Sequence, residues 1–186
     1  MVLRGLMVPA WLRGVALSIV CVCAGCSDIE SEIESLPPLP ESISNLPVGI
    51  VVEPVKSIAE AQLEVADIKN LSSDPNPVYR WDHPITIKSM GGDVQIVEYG
   101  VFTFFDGNWH DATEEQKPYS AKVLSEMFQC EGALLKHNET YQSDRFSNWS
   151  NVPRKKRAII RWYFIGEIDA KRVRGETTLV DMPPTK

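Results

Sequence analysis

Two long runs of β-branched and aromatic residues constrain the fold of this chain more than any other feature. Residues 94–105 carry the strongest β pattern, and residues 158–168 carry a second one. In the second run both alternating sets are apolar: Ile160, Trp162 and Phe164 in one, Ile159, Tyr163 and Ile165 in the other. Because successive side chains of a strand point to opposite faces, this strand is predicted to be central in a sheet or to lie under a helix.

Shorter patterns around these runs indicate further strands and one helix. Alternating residues predict strands at 85–88 and 173–180. Asp106-Gly107-Asn108 predicts a hairpin turn, because Gly107 accepts a positive φ. Residues 120–129 predict the helix, with four apolar side chains on one face: Val123, Leu124, Met127 and Phe128.

A predicted strand at 61–69 is followed by a polar turn with two prolines and by resumption of the strand pattern at Val78. This arrangement resembles the first hairpin of many immunoglobulin-like domains of bacterial envelope proteins, over fewer than twenty residues. With the patterns above, it predicts a mainly β fold, an antiparallel β-sandwich of the immunoglobulin-like or a related type. One inserted helix is expected near 120–129.

The amino terminus combines a basic leader with an uncharged run. Arg4 and Arg13 supply the positive charge, and residues 14–27 are 14 consecutive uncharged positions. A membrane-spanning helix needs about 20 apolar residues, whereas the apolar region of a signal peptide needs only about 7–15. The run therefore favours a signal peptide. An uncleaved membrane anchor is the alternative, because residues 5–12 are also largely apolar.

The uncharged run ends in Ala24-Gly25-Cys26, which resembles the lipobox of bacterial lipoproteins. Three positions before the cysteine, where that family usually has Leu, this chain has Cys23, a small apolar residue that can replace it. The resemblance implies a diacylglyceryl group on Cys26, cleavage before Cys26, and acylation of the new amino terminus by a fatty acid such as palmitate. Because Ser27 rather than Asp follows, resemblance to enterobacterial lipoproteins implies the outer rather than the inner membrane.

Composition divides the chain into three predicted parts. Residues 1–25 are the signal peptide. Residues 26–48 hold five acidic residues, four prolines and no aromatic residue, which predicts an acidic, extended tether. Residues 49–182 are predicted to form a single β-rich globular domain, because their number suits one hydrophobic core.

Cys130 is the one cysteine that would stay free after removal of the leader and lipidation of Cys26. A disulfide within the mature chain would then be excluded, and a thiol that follows an apolar helix face is predicted to be buried. The alternative is a nucleophile activated by His83, His110 or His137. A buried thiol is favoured, because no nucleophile-elbow motif accompanies these residues.

A second candidate for chemistry is the acidic turn at 106–115. Its possible metal ligands are Asp106, Asn108, His110, Asp111, Glu114 and Glu115. The spacing begins like an EF-hand calcium loop, but glycine is absent from the sixth position and the twelfth is Lys117. A plain hairpin turn is favoured, and no metal, cofactor or catalytic residue is predicted.

Five aromatic residues could form a flat carbohydrate-binding platform: Tyr79, Trp81, Trp109, Trp149 and Trp162. Rings at strand positions bury large apolar areas and dominate small cores. Packing in the core is therefore favoured over a sugar platform.

Charge is unevenly distributed along the chain. Residues 27–150 hold 21 acidic against 8 basic residues, whereas residues 151–186 hold 9 basic against 4 acidic ones. The basic part includes Arg-Lys-Lys-Arg at 154–157, which could clamp lipid phosphates or an acidic partner, although a solvated turn is favoured. The net charge of −6 and the predicted secretion argue against nucleic acid as a partner.

Taken together, these patterns predict a lipid-anchored bacterial cell-envelope protein with a non-catalytic binding or structural β-sandwich domain. The predicted partners are the membrane, through lipid on Cys26, and either an envelope protein or a glycan. The alternative function is an envelope enzyme that uses Cys130 or the acidic turn at 106–115.

Overall fold

A computed structural model describes residues 24–64, 78–113 and 117–185 of the 186-residue chain. From Pro37 onward the chain forms one compact unit. The unit is mainly β, with strands arranged in three largely antiparallel sheets and few helical residues. The predicted class, a mainly β antiparallel sandwich with a helix near 120–129, is therefore confirmed.

Within the described ranges, three α-helices and thirteen strands follow one another along the chain. The first half contains α1 (Ala24–Glu34), α2 (Glu41–Ser44), β1 (Ile50–Pro54), β2 (Ile58–Ala59), β3 (Gln62–Glu64), β4 (Val78–Asp82), β5 (Ile85–Ser89), β6 (Val94–Phe105) and β7 (Asn108–Asp111). The second half contains β8 (Tyr119–Ser120), α3 (Ala121–Phe128), β9 (Leu134–Leu135), β10 (Thr140–Ser143), β11 (Ser147–Ser150), β12 (Ala158–Ile168) and β13 (Lys171–Asp181).

The largest sheet is built on the two runs that dominate the sequence. Its strand order is β2-β13-β12-β6-β7, and β8 and β9 also pair with β6. The strands β6 and β12 have the predicted bounds, and β12 lies between β6 and β13, as predicted for a central strand. The sheets β1-β5-β10 and β11-β4-β3 complete the fold.

Both faces of β12 are covered, which explains why both of its alternating sets are apolar. On one face Ile160, Trp162 and Phe164 belong to the main core, which β1, β5 and α3 close. On the other face Tyr163 and Ile165 form a second, smaller cluster. The predicted burial of both faces is therefore confirmed.

Two local features of the large sheet depend on glycine. Asp106 and Gly107 both have positive φ angles, 50° and 77°, and form the two-residue turn between β6 and β7. The pairing of β12 with β6 shifts its register between Ile165 and Gly166, and a Cβ at Gly166 would collide with the side chain of Val94. Glycine is required at this bulge because the neighbouring strand approaches too closely for a side chain.

The helix α3 closes one side of the main core. Leu124 and Phe128 are buried, and Gln129 ends the helix in the left-handed conformation, with φ of 53°. Of the four side chains on the predicted apolar face, only Val123 is exposed. The helix thus confirms the prediction for 120–129.

The compact unit begins earlier than the sequence indicates. The predicted tether extends to residue 48 and the predicted domain begins at 49, whereas the unit begins at Pro37. Leu39 and Ile43 are buried against the outer face of the large sheet, where they join the cluster of Tyr163 and Ile165. Residues 37–48, which the composition assigns to the tether, thus belong to the compact unit, because apolar side chains lie between the prolines of this segment and pack against the sheet.

Residues 24–34 form the helix α1, where an extended spacer was expected. Ile29 and Ile33 lie four residues apart, on one side of a helix. None of the helices in the described ranges is long and apolar enough to cross a bilayer.

Some predicted elements lie outside the described residues. They are the signal peptide except for its last two residues, most of the strand at 61–69, and the polar turn at 70–77. The strand β3, which pairs with β4, is the described part of the predicted 61–69 strand.

We expect Ile43→Ala to lower the free energy of unfolding by about 2 kcal/mol or more, because it removes a side chain that is only 5% exposed. The matched control is Val55→Ala, at a position 56% exposed, which should change it by less than about 0.5 kcal/mol. Urea denaturation of the full chain measures both values. Equal effects would show that residues 37–48 do not stabilise the sheet.

Candidate functional site

A cleft of about 270 Å³ lies between β11 and the large sheet. Thr103 of β6 and Trp162 of β12 line it on the side of the large sheet. On the opposite side it is lined by consecutive residues of β11 and by the loop that follows: Ser147, Asn148, Trp149 and Arg154. The volume is close to the lower limit of about 300 Å³ for small-molecule sites, so the cleft suits a small ligand.

Because successive side chains of a strand alternate, neighbouring residues of β11 point to opposite faces of its sheet. Asn148 is paired in register with Trp81 of β4, and Trp149 with Arg80. Trp149 is 54% exposed at the cleft, and the guanidinium of Arg80 lies 5.4 Å from its ring centroid. A large aromatic ring is thus presented to solvent by a strand that is hydrogen-bonded into a sheet.

Behind the cleft, the buried carboxylate of Asp181 gathers three polar side chains. Its Oδ1 lies 2.6 Å from His83 Nε2 and accepts a hydrogen bond from Asn148 Nδ2 at 3.3 Å. Its Oδ2 lies 2.9 Å from Arg154 Nη1. His83 and Asp181 are both fully buried.

Arg154 is held on two sides. Besides its ion pair with Asp181, its guanidinium lies 4.6 Å from the ring centroid of Trp81. Trp81 is fixed in turn, because its Nε1 donates a hydrogen bond to the carbonyl of Met182 at 2.7 Å. The first residue of the basic run at 154–157 therefore points inward, whereas Lys155 and Lys156 are exposed. The expected solvated turn is wrong for Arg154.

The five aromatic residues do not form a platform. Trp81 and Trp162 are buried, as core packing predicts. Trp109 is half-buried on the outer face of the sheet, where its Nε1 donates to the carbonyl of Pro37 at 2.8 Å and Arg161 stacks on its ring. Tyr79 is half-buried 6.4 Å from Trp81. Trp149 is the exposed member.

Cys130 is buried directly after α3, with 2% of its surface exposed. Burial raises the pKa of its thiol, which keeps the sulfur protonated and weakens it as a nucleophile. The predicted buried thiol is confirmed.

The three histidines have partners other than Cys130. His83 lies against Asp181. His110 stacks on Phe105 with 3.5 Å between ring centroids, and the Nδ1 of His137 accepts a hydrogen bond from the backbone N–H of Gly92 at 3.2 Å. None of these contacts would activate a thiol.

The acidic turn is a hairpin in the structure. Asp111 uses its Oδ1 to accept a hydrogen bond from the backbone N–H of Thr113 at 2.8 Å, which ends β7. In the part of the chain that is described, no three His, Cys, Asp or Glu side chains are grouped as metal ligands. Glu114 and Glu115, which belong to the predicted turn, lie outside that part.

Sequence reasoning missed Asp181 and Asn148, the centre and one wall of the site. Asp181 follows the apolar pair Leu179 and Val180 at the end of a strand, where a charged residue is ordinarily solvated. Its partners precede it by 27 to 98 positions in the chain. No spacing in the sequence indicates their contact.

Comparison of the chain with protein-family models, with curated proteins and with solved structures finds no match. The site is therefore interpreted from its own residues. They provide a group of polar side chains around Asp181 and an exposed ring, Trp149, on the opposite face of the β11-β4 pair.

We expect Cys130 to react slowly with a water-soluble thiol reagent in the native protein and rapidly after unfolding, because its thiol is buried and protonated. Mass spectrometry of the peptide that contains residue 130 measures the rate. A matched control is Val123→Cys in a Cys130→Ser background, since position 123 is 40% exposed on the same helix and should react in the native state. Rapid native labelling of Cys130 would support the enzyme alternative.

We expect Asp181→Ala to lower the free energy of unfolding by about 3–5 kcal/mol, because it removes the carboxylate that His83 and Asn148 contact through Oδ1 and that forms the ion pair with Arg154. Asp144→Ala, which removes an exposed carboxylate, serves as the control and should change it by less than about 0.5 kcal/mol. Chemical denaturation measures both. A loss below about 1 kcal/mol for Asp181→Ala would contradict the central role of this carboxylate.

Proposed function

We propose that this protein is lipid-anchored in the bacterial cell envelope and that its β-sandwich domain binds a ligand at the cleft beside β11 without catalysing a reaction. The sequence Ala24-Gly25-Cys26 at the end of an uncharged run carries the membrane part of the proposal. The cleft lined by Trp149 and Arg154 carries the binding part. The partners are accordingly the membrane, through the lipid on Cys26, and a component of the envelope.

The position of the compact unit supports anchoring by the amino terminus. Since this unit begins at Pro37, only the residues between Cys26 and Pro37 separate the proposed lipid from the domain. Dual acylation supplies the two hydrophobic signals that stable membrane attachment requires. Ser27 after the cysteine favours the outer membrane.

The chemistry of the buried groups supports binding over catalysis. A nucleophile needs a thiolate or an adjacent base, whereas burial raises the pKa of Cys130. A general base must reach the substrate proton, whereas His83 is fully buried against Asp181. These observations weigh against Cys130 as the nucleophile in the alternative, an envelope enzyme that uses Cys130 or the acidic turn at 106–115.

We expect the mature protein from bacterial membranes to begin at Cys26 and to carry a diacylglyceryl group and an amino-terminal acyl chain. Mass spectrometry of the amino-terminal peptide and incorporation of labelled palmitate measure this. Cys26→Ala should abolish both processing and labelling, and the matched control Cys21→Ala should retain them, because Cys21 lies in the same uncharged run but outside the lipobox-like residues 23–26. An intact Met1, or an unmodified Cys26 at the terminus, would overturn the anchoring proposal.

A further inference from the structure

The strand β11 has an open edge. On one side it pairs with β4, and within the described ranges no strand pairs with its other side. Edge strands are usually protected from further pairing by charged side chains, prolines or bulges. The sequence of β11, Ser147–Ser150, holds neither a charge nor a proline, and its register with β4 runs without a shift. The outer edge of β11 is therefore unprotected against pairing with another extended chain.

The register identifies the backbone groups on this edge. The N–H of His83 donates to the carbonyl of Phe146 at 2.8 Å, so the bonds to β4 fall on Phe146 and, two residues later, on Asn148. Ser147 and Trp149 then occupy the pairs that lack hydrogen bonds to β4. Because the N–H and C=O of such residues point away from the partner strand, Ser147 and Trp149 each present a donor and an acceptor at the open edge.

The cleft of about 270 Å³ reaches the backbone of β11. Ser147, Asn148 and Trp149 all line it, although successive side chains of a strand point to opposite faces. A cavity lined by consecutive residues of one strand must therefore touch the main chain. Across the cleft lie Thr103 and Trp162, on the face of the large sheet that carries the main core. The space beside β11 can thus take a side chain of a strand that is added at this edge.

The geometry of the edge selects an extended peptide as its ligand. The outward backbone groups of Ser147 and Trp149 recur at a spacing of about 7 Å, the rise of two strand residues. An extended peptide presents its own donors and acceptors at the same spacing, which is the basis of recognition by strand addition. A peptide side chain in the cleft meets Trp162 and Arg154, whose charge is balanced by Asp181 at 2.9 Å. A neutral side chain is therefore favoured there.

We infer that the open edge of β11 binds an extended peptide segment of another protein, which adds to the sheet β11-β4-β3 as a further strand. Its backbone bonds to Ser147 and Trp149, and one of its side chains enters the cleft. Lys155 and Lys156, which follow the cleft residue Arg154, are exposed and favour a segment with acidic flanks. The inference rests on the proposed function, since it names the class of partner that binds at the same cleft.

The test uses the mature full-length protein, purified in a detergent without a sugar head group, and four capped heptapeptides. Each peptide has glutamate at both ends and, between them, threonine alternating with valine, leucine, phenylalanine or tyrosine. By titration calorimetry we expect at least one peptide to bind with a dissociation constant of about 1 mM or tighter. The same peptide with N-methyl groups on its inner residues should bind at least about tenfold more weakly, because it keeps the side chains but lacks the backbone donors.

Amide hydrogen exchange, measured by NMR, locates the bound peptide. In the protein alone, the N–H groups of Ser147 and Trp149 should exchange faster than that of Asn148, which is bonded to β4. A saturating concentration of peptide should slow exchange at Ser147 and Trp149 by about tenfold or more. The exchange of Asn148 is the internal control and should change little, because its bond is present in both states.

A substitution at the edge tests the same bonds from the side of the protein. Ser147→Pro removes an outward N–H, and proline is tolerated at edge positions whose N–H faces away from the partner strand. It should weaken peptide binding by about tenfold or more. The matched control is Ser147→Ala, which removes the hydroxyl bonded to Asp82 but keeps the N–H, and which should bind as the unaltered protein does. Thermal unfolding verifies that each variant is folded.

Each outcome decides the inference. It is overturned if no heptapeptide binds at millimolar concentration, if the N-methylated peptide binds equally well, if folded Ser147→Pro retains the affinity, or if exchange slows only outside β11. A dimer of the unaltered protein that Ser147→Pro converts to a monomer, measured by sedimentation, would assign the edge to a second copy of this chain and overturn the inference.

Failure of the inference is distinguishable from failure of the proposed function. If the trisaccharide of N-acetylglucosamine binds and none of the peptides does, the inference is overturned while binding of a ligand by the domain stands. The lipid analysis of Cys26 is a separate experiment, so failure of peptide binding leaves the anchoring proposal intact. Failure of lipidation likewise leaves the open edge of β11 to be judged by calorimetry and hydrogen exchange.

Discussion

The rest of the structure depends on β12 being covered on both faces. A strand with apolar side chains on both sides exposes hydrophobic surface unless a layer packs on each. The sheet of β1, β5 and β10 and the helix α3 cover one face, and Leu39 and Ile43 help to cover the other. The early start of the compact unit at Pro37 follows from this requirement, since the outer face of the sheet needs the apolar side chains of the preceding segment.

The buried carboxylate of Asp181 organises the cleft in a comparable way. A buried charge is costly unless it is paired and hydrogen-bonded, and His83, Asn148 and Arg154 meet that need. The same contacts position the walls of the cleft, because Asn148 and Arg154 both line it. The side chains that stabilise the buried carboxylate therefore also line the cleft. Because Arg154 pairs with Asp181, the basic run at 154–157 is not wholly solvated.

Local sequence patterns predicted strands and the helix correctly where the spacing of apolar residues matches the side chains that are buried in the structure. The strands β6 and β12, the helix α3 and the turn at Gly107 were all indicated by alternation, helical spacing or glycine. The composition of residues 37–48 did not indicate that they pack against the sheet, because composition describes an average. Four prolines and Glu41 concealed two apolar side chains, Leu39 and Ile43, whose partners Tyr163 and Ile165 lie more than a hundred positions later.

By itself, the sequence determined which segments become strands and the helix, since these depend on neighbouring residues and on the alternation of side chains. It also determined that Cys130 would follow an apolar helix face and be buried. Only the tertiary structure decided that Asp181 meets His83, Asn148 and Arg154, and that Trp149 rather than Trp81, Trp109 or Trp162 faces solvent. Contacts between residues far apart in the chain arise from sheet order and register, which local spacing does not encode.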